Sequence, residues 1–235
     1  MVVYMVKKAV CLISGGIDSC VTSFIAKNEG YSIYALTINY GQRHKKEIQC
    51  AKKIALLVKA KKHMLLDINL SKFGGSSLIN KLEKPEKDRN LEDIGKNSTS
   101  TYVPARNTVF LAVALAYAEV LSADAIFIGA TATDYSGYPD CRPEFIEAFQ
   151  KLSDIATKKG LEKKPIRIIA PLLNFSKSKI IKKGFELNAP LDKTWSCYMG
   201  GKKACGRCDS CLLRLKGFKE LGLKDPIEYE HLPDW

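Results

Sequence analysis

Residues 9–29, AVCLISGGIDSCVTSFIAKNE, join a short apolar run to an amphipathic stretch through Ser14-Gly15-Gly16. Residues 9–13 have the length and composition of a strand buried on both faces, and Val21, Phe24 and Ile25 recur at helical spacing after it. The glycines therefore fall at a strand-to-helix turn. A backbone without side chains bends sharply there and approaches a ligand closely, while the first turn of the helix offers unpaired N–H groups and the positive end of its dipole. Phosphate or pyrophosphate suits such a turn, with the Ser14 and Ser19 hydroxyls as extra partners. The candidate nucleotide site is Ile13, Ser14, Gly15, Gly16, Ile17, Asp18, Ser19, Cys20, Val21, Thr22 and Ser23. A Walker A loop is excluded, because Asp18 stands where that motif needs Lys. The plainer alternative is a glycine turn that packs a helix on a sheet and binds nothing.

SGGIDS resembles the SGGxDS signature of the PP-loop ATP pyrophosphatases. That resemblance implies a grip on the β,γ-pyrophosphate of ATP, cleavage of the α–β bond and an adenylated product, with Asp18 close to bound magnesium.

A chain of 235 residues that is 46% hydrophobic supports one α/β domain with a small appendage. No run reaches the ~18 apolar residues of a membrane span, and the N-terminus lacks the apolar core of a signal peptide, so a soluble cytoplasmic protein is expected. The net charge of +12 suits anionic partners. Most of the excess is Lys in helical stretches or tips, such as Lys45, Lys46, Lys52, Lys53, Lys59, Lys61 and Lys62. A solvated surface is therefore favoured over a nucleic-acid groove, and direct tRNA binding is not expected.

Strands are predicted at 9–13, 31–40, 63–68, 125–129 and 166–170, with helices after each of the first two and at 108–121 and 144–158. This order gives a Rossmann-like, doubly wound, parallel five-stranded α/β sheet over 1–190, followed by a metal-binding segment at 191–235. Ligands in such sheets bind beyond the carboxyl ends of the strands. Tyr40-Gly41-Gln42-Arg43-His44 is therefore expected beside the phosphate turn, with Arg43 and His44 as candidate nucleotide neighbours. Residues 71–100 are irregular and read as a lid or substrate loop. Helix 108–121 is almost wholly apolar and expected to be buried, so Arg106 at its start should meet an anion. The loop 131–142 gathers Asp134, Tyr135, Tyr138, Asp140 and Arg142 at the carboxyl edge. Asp134 or Asp140 can accept hydrogen bonds from a guanine-like edge, a Tyr can stack on the base, and Arg142 or Arg106 can meet an acidic substituent. The alternative is a turn in which Asp and Gly serve only backbone geometry. Lys177 lies in the first turn of a further helix, an unfavourable place for a cation unless phosphate compensates it.

Cys197, Cys205, Cys208 and Cys211 place four thiols within fifteen residues. Two-residue gaps let neighbouring sulfurs turn to one ion, and four sulfurs with no open position imply structural zinc. An iron–sulfur cluster is the competing reading, and disulfides do not fit a reducing compartment.

Taken in order, SGGIDS, YGQRH, TYVPARN, DYSGYPDCRPEF and TWSCYMGGKKACGRCDSC resemble the 7-cyano-7-deazaguanine (preQ0) synthase family over nearly the whole chain. The resemblance implies a ligase that uses ATP, magnesium and ammonia to convert 7-carboxy-7-deazaguanine to the nitrile, for queuosine or archaeosine, with two ATP consumed per product. Asp18, Arg106 and Lys177 would be the catalytic residues. PP-loop families carry a Lys in a KxEI-like stretch that reaches the phosphates; here Lys179 replaces its acid, a departure that leaves two lysines in view. The rival is a PP-loop tRNA sulfur-transfer enzyme. The aromatic tail can pack on the body or on a second copy in a homodimer.

Overall fold

The computed structural model describes residues 6–80, 82–94, 100–131 and 137–235. Strands β1 (Lys8–Leu12), β2 (Ser32–Asn39), β3 (Lys62–Asp67), β4 (Ala125–Phe127) and β5 (Arg167–Ile169) form one sheet in the order β3-β2-β1-β4-β5. Every pairing is parallel; Val10, for instance, lies between Tyr34 and Ile126. Because successive side chains of a strand point to opposite faces, β1 feeds two cores at once. Ala9 and Cys11 pack with helices α1 (Ile17–Asn28), α2 (Lys46–Leu57), α6 (Lys177–Glu186) and α7 (Asp209–Lys219). Val10 and Leu12 pack with α3 (Arg106–Val120) and α4 (Pro143–Ala156). Covering both faces is what the unbroken apolar strands require, and the doubly wound architecture follows.

Two helices depart from their sequence patterns. The helix expected at 144–158 divides at Thr157, whose backbone is extended (φ −126°, ψ 154°) and whose side chain accepts the Gly160 N–H at 3.0 Å to cap a single turn, α5 (Lys158–Leu161). A threonine able to cap locally competes with helix continuation. Helix α3 is apolar over most of its surface between Val109 and Ala118, yet only one side of it is buried. Leu111, Ala114, Leu115 and Ala118 face the sheet, whereas Thr108, Ala112, Ala116 and Val120, each four residues apart, face outward.

Residues 71–80 and 82–94 mostly strap the turn after β2 to the cysteine segment. Arg43 Nη1 donates to the carbonyls of Ser77, Asn80 and Glu83, which fixes one end to the turn after β2. At the other end Asp88 N donates to Arg207 O at 2.8 Å, and Arg89 Nη1 donates to Asp209 Oδ2 at 3.0 Å. Among the described residues of this stretch, Leu78 lines the central cleft.

Beyond α6 the chain folds back onto the phosphate turn, and Trp195 N donates to Gly15 O at 2.9 Å. Arg214, only 1% exposed, donates to both oxygens of Asp225 at 2.6 and 2.9 Å, and Tyr229 Oη donates to the same carboxylate at 2.7 Å. Arg214 also donates to Thr194 Oγ1 at 2.8 Å, so its charge and donors are matched inside the protein. The tail aromatics thus pack on the chain itself, Trp235 lying 5.1 Å beneath Lys219 Nζ.

Candidate nucleotide cleft and metal centre

Strand β1 leads to one side of the sheet and β4 begins the other, and their carboxyl ends flank a cleft of about 250 Å³. Ile13, Ser14, Gly16, Ile17, Asp18 and Ser19 form its floor. Gly15 has φ +99°, and a Cβ there would stand 2.2 Å from the Glu47 carbonyl oxygen of α2. Only glycine allows this turn and this approach together. Gly16 caps α1 without any side-chain hydrogen bond, which leaves the N-terminal N–H groups to the cleft. Ser14 N donates to Ser19 Oγ at 3.2 Å and Ser19 Oγ to Gly16 O at 3.1 Å, fixing the loop's curvature. Cys20, Val21, Thr22 and Ser23 continue into buried helix and do not line the cleft.

Asp18 lies in the first turn of α1 and Lys177 opens α6, yet they meet across the cleft. Lys177 Nζ donates to Asp18 Oδ1 at 2.7 Å and Oδ2 at 2.9 Å. The carboxylate supplies the compensation that a cation in a first helical turn needs. Arg106 enters from α3, its guanidinium 5.6 Å from the centre of the Tyr40 ring and 6.0 Å from that of Phe110. Among the described residues no carboxylate is ion-paired with it. Burial and the nearby Glu47 charge push the Tyr40 hydroxyl up to about 12.

The loop expected to select a base is divided. Asp134 and Tyr135 lie outside the described residues. Asp140 is buried but does not line the cleft. Its Oδ2 accepts Asn107 N–H at 2.7 Å and its carbonyl accepts Asn107 Nδ2 at 3.1 Å, so it caps α3. Burial raises its pKa, opposed by the Asn107 N–H and by Arg106. Arg142 is exposed at the start of α4 and also lies off the cleft. Tyr138 does line it, donor or acceptor to Thr101 Oγ1 at 2.9 Å and stacked 5.8 Å from Tyr102.

Sequence reasoning missed one wall. Glu47, Asn107, Trp195, Ser196 and Tyr198 face the cleft, and burial lifts the Glu47 carboxyl from its ordinary 4.5 to about 7. Arg106 opposes that rise and the Cys197 sulfur adds to it. Trp195 and Tyr198 flank Cys197, and Trp195 Nε1 donates to the Cys197 carbonyl at 2.8 Å. The cysteine segment thereby carries them to the cleft, a signal visible only as adjacency to a metal-type motif.

The sulfurs of Cys197, Cys205, Cys208 and Cys211 are buried and lie within 4.8 Å of one another. Cys205 and Cys211 are 3.9 Å apart, close to the edge of about 3.8 Å for four sulfurs bound at about 2.3 Å in a tetrahedron. Backbone N–H groups of Cys205 and Met199 point at Cys197 Sγ at 3.3 and 3.4 Å, and those of Cys208 and Arg207 at Cys205 Sγ at 3.4 and 3.5 Å. Donors aimed at sulfur favour the thiolate that a metal requires. The four residues fit a tetrahedral metal ion.

This is a Rossmann-like α/β protein with a PP-loop nucleotide cleft and a four-cysteine metal-type centre. Comparison with known families narrows the class: the model described as Queuosine biosynthesis protein QueC matches residues 8–222, and the chain belongs to that family. It is 52% identical over 224 residues to the 7-cyano-7-deazaguanine synthase of Acetivibrio thermocellus, covering 95% of this chain and 98% of that one. The 7-cyano-7-deazaguanine synthase of Thermosynechococcus vestitus is 50% identical over 223 residues, covering 95% and 96%. Among solved structures, NMN synthetase from Francisella tularensis is 16% identical with a TM-score of 0.48, covering 94% of this chain and 74% of that one.

Proposed function

We propose that the chain is an ATP-dependent carbon–nitrogen ligase. It converts 7-carboxy-7-deazaguanine and ammonia to 7-cyano-7-deazaguanine for queuosine biosynthesis, through an adenylated carboxylate and then an adenylated amide. The observation that carries this reading is the Lys177–Asp18 bridge at the open N-terminus of α1, a cation and a carboxylate held over a turn shaped for pyrophosphate. Near-full-length identity of about half to named synthases supports the choice of substrate.

A carboxylate is a poor electrophile, and adenylation gives its carbon a leaving group that ammonia can displace. Removing the remaining amide oxygen needs a second adenylation in the same cleft. In these steps the Gly16–Ser19 N–H groups hold the pyrophosphate. Lys177 moves from Asp18 to the departing phosphates, where its charge counts most. Asp18 would share magnesium with the phosphates, and that ion supplies charge neutralisation. Arg106, facing the cleft without an ion-pair partner among the described residues, receives the 7-carboxylate in preference to exposed Arg142. Because Asp140 already caps α3, Asp134 carries the proposed recognition of the base and Tyr135 the proposed stacking on it. The cysteine centre takes zinc, which holds the Trp195 and Tyr198 wall in place.

The sulfur-transfer alternative needs an accessible thiol, whereas all eight cysteines are buried and burial pushes Cys20 up to about 12. No described helix is long and apolar enough to cross a membrane, and we place the enzyme in the cytoplasm with its small substrates. The test is incubation with ATP, magnesium, ammonium and the deazaguanine acid, read by mass. The nitrile is the expected product; ATP consumption that does not depend on the acid would overturn the reading.

A further inference from the structure

A small recess opens off the cleft between the turn after β2 and the start of α2. Its volume is about 10 Å³, and Tyr40, Gln42, Glu47, Leu78 and Tyr198 line both spaces. A space of this size holds one water-sized molecule and excludes any part of a nucleotide or base.

The polar groups around it are unevenly matched. His44 lines the recess, and its Nδ1 is buried without a hydrogen-bond partner among the described residues; in the neutral ring a nitrogen so placed can accept. The Glu47 carboxylate feels the charges of Arg106 and Cys197 but makes no hydrogen bond to a described residue. Neighbouring cations are committed elsewhere. Arg43 Nη1 binds the Ser77 and Asn80 carbonyls at 3.1 and 3.0 Å. Lys46 Nζ binds the Gly201 and Lys202 carbonyls at 2.8 and 2.6 Å while lying 3.5 Å over the Trp195 ring. Gln42 turns its amide oxygen to Tyr40 N at 2.9 Å. A carboxylate and an unpartnered imidazole nitrogen, both on residues that line it, thus border a one-molecule space, and among the described residues no cation is ion-paired with either. The complement is a small cation rich in N–H donors.

We propose that this recess is the ammonia subsite, in which Glu47 and His44 Nδ1 hold ammonium beside the adenylated carboxyl group. The assignment rests on the ligase reading above. In the step it serves, the nitrogen lone pair forms a bond to the carboxyl carbon, and the carbon–oxygen bond to AMP breaks with its electron pair leaving on AMP. Two protons pass from the original ammonium nitrogen to solvent by way of the Glu47 carboxylate, and the amide remains.

Steady-state kinetics with ammonium chloride test the subsite, alongside acid-dependent exchange of pyrophosphate into ATP measured without ammonium. For Glu47→Gln the KM for ammonium should rise at least tenfold, with Glu47→Asp in between, while exchange and the KM for ATP stay within twofold of wild type. Ammonium KM unchanged in a Glu47→Gln enzyme that still exchanges would overturn the subsite alone. Exchange falling in step with ammonium use would also overturn it, by placing Glu47 in adenylation. If Glu47→Gln does not fold, Glu47→Asp decides by the same two readouts. A wild-type enzyme that shows no acid-dependent exchange would overturn the ligase reading and the subsite with it.

Discussion

Asp18 and Lys177 are 159 residues apart and 2.7 Å from one another. Each sits in the first turn of a helix, where its neighbours in sequence say little about its partner. Asp18→Asn keeps shape and removes the charge, so it should cut turnover by ~10²-fold or more while the melting temperature stays near wild type, as read by nitrile formation and calorimetry. Turnover near the wild-type rate would remove the phosphate turn from the mechanism. Glu47 makes a pH-dependent prediction whose sign follows from its raised pKa. The folded carboxyl titrates near 7 and the unfolded one near 4.5, so the folded state holds the extra proton between those values and stability falls as pH rises through them. Glu47→Gln should therefore gain stability over wild type at pH 8, on the order of 1–2 kcal/mol for a partly screened group, and little at pH 4.5. Denaturant melts at the two pH values check it. The turn SGGIDS was legible in the sequence because its chemistry is local. Glu47 was not, since only the approach of α2 to Gly15 puts it in the cleft, and Asp140 reads as a substrate carboxylate until Asn107 is found 2.7 Å away.

Among the elements, the cysteine segment and its strap hold the missing wall. Cys208 precedes α7 and Cys211 lies in its first turn, so a metal bound there anchors the helix whose Arg214 is clamped by Asp225. Metal-binding energy in a closed site is folding energy. Purified protein should carry about one zinc per chain, and Cys208→Ser should lose both the zinc and the cooperative melt; iron and sulfide in its place would contradict the assignment. Asp225→Ala should cost ~3–5 kcal/mol in denaturant unfolding, because it leaves a buried guanidinium without its counter-charge. A cost below ~1 kcal/mol would mean that water reaches Arg214. Strands and most helices were legible from periodicity. The break at Thr157 turns on one side chain capping the next turn, and the outward row of α3 carries no polar residue beyond Thr108 to mark it.

For the whole molecule, the strand order puts the cleft beyond the carboxyl ends of β1 and β4, where the order of strands reverses, the place at which such sheets take ligands. Less legible was the return of residues 195–214 to close the cleft, because contacts made across more than 150 residues leave no periodic trace. The central claim is that one cleft adenylates a carboxylate and then its amide, and oxygen tracing tests it most directly. Carboxylate labelled with ¹⁸O at both positions is converted with ATP and ammonium, and the AMP and nitrile are analysed by mass. Each adenylation transfers one substrate oxygen to AMP, first when ammonia displaces AMP from the carboxyl carbon and then when AMP is expelled as the nitrogen loses its proton and the C≡N bond forms. Two AMP per nitrile, each carrying one ¹⁸O, is the predicted result, and label released as water or as inorganic phosphate, or ADP in place of AMP, would contradict it.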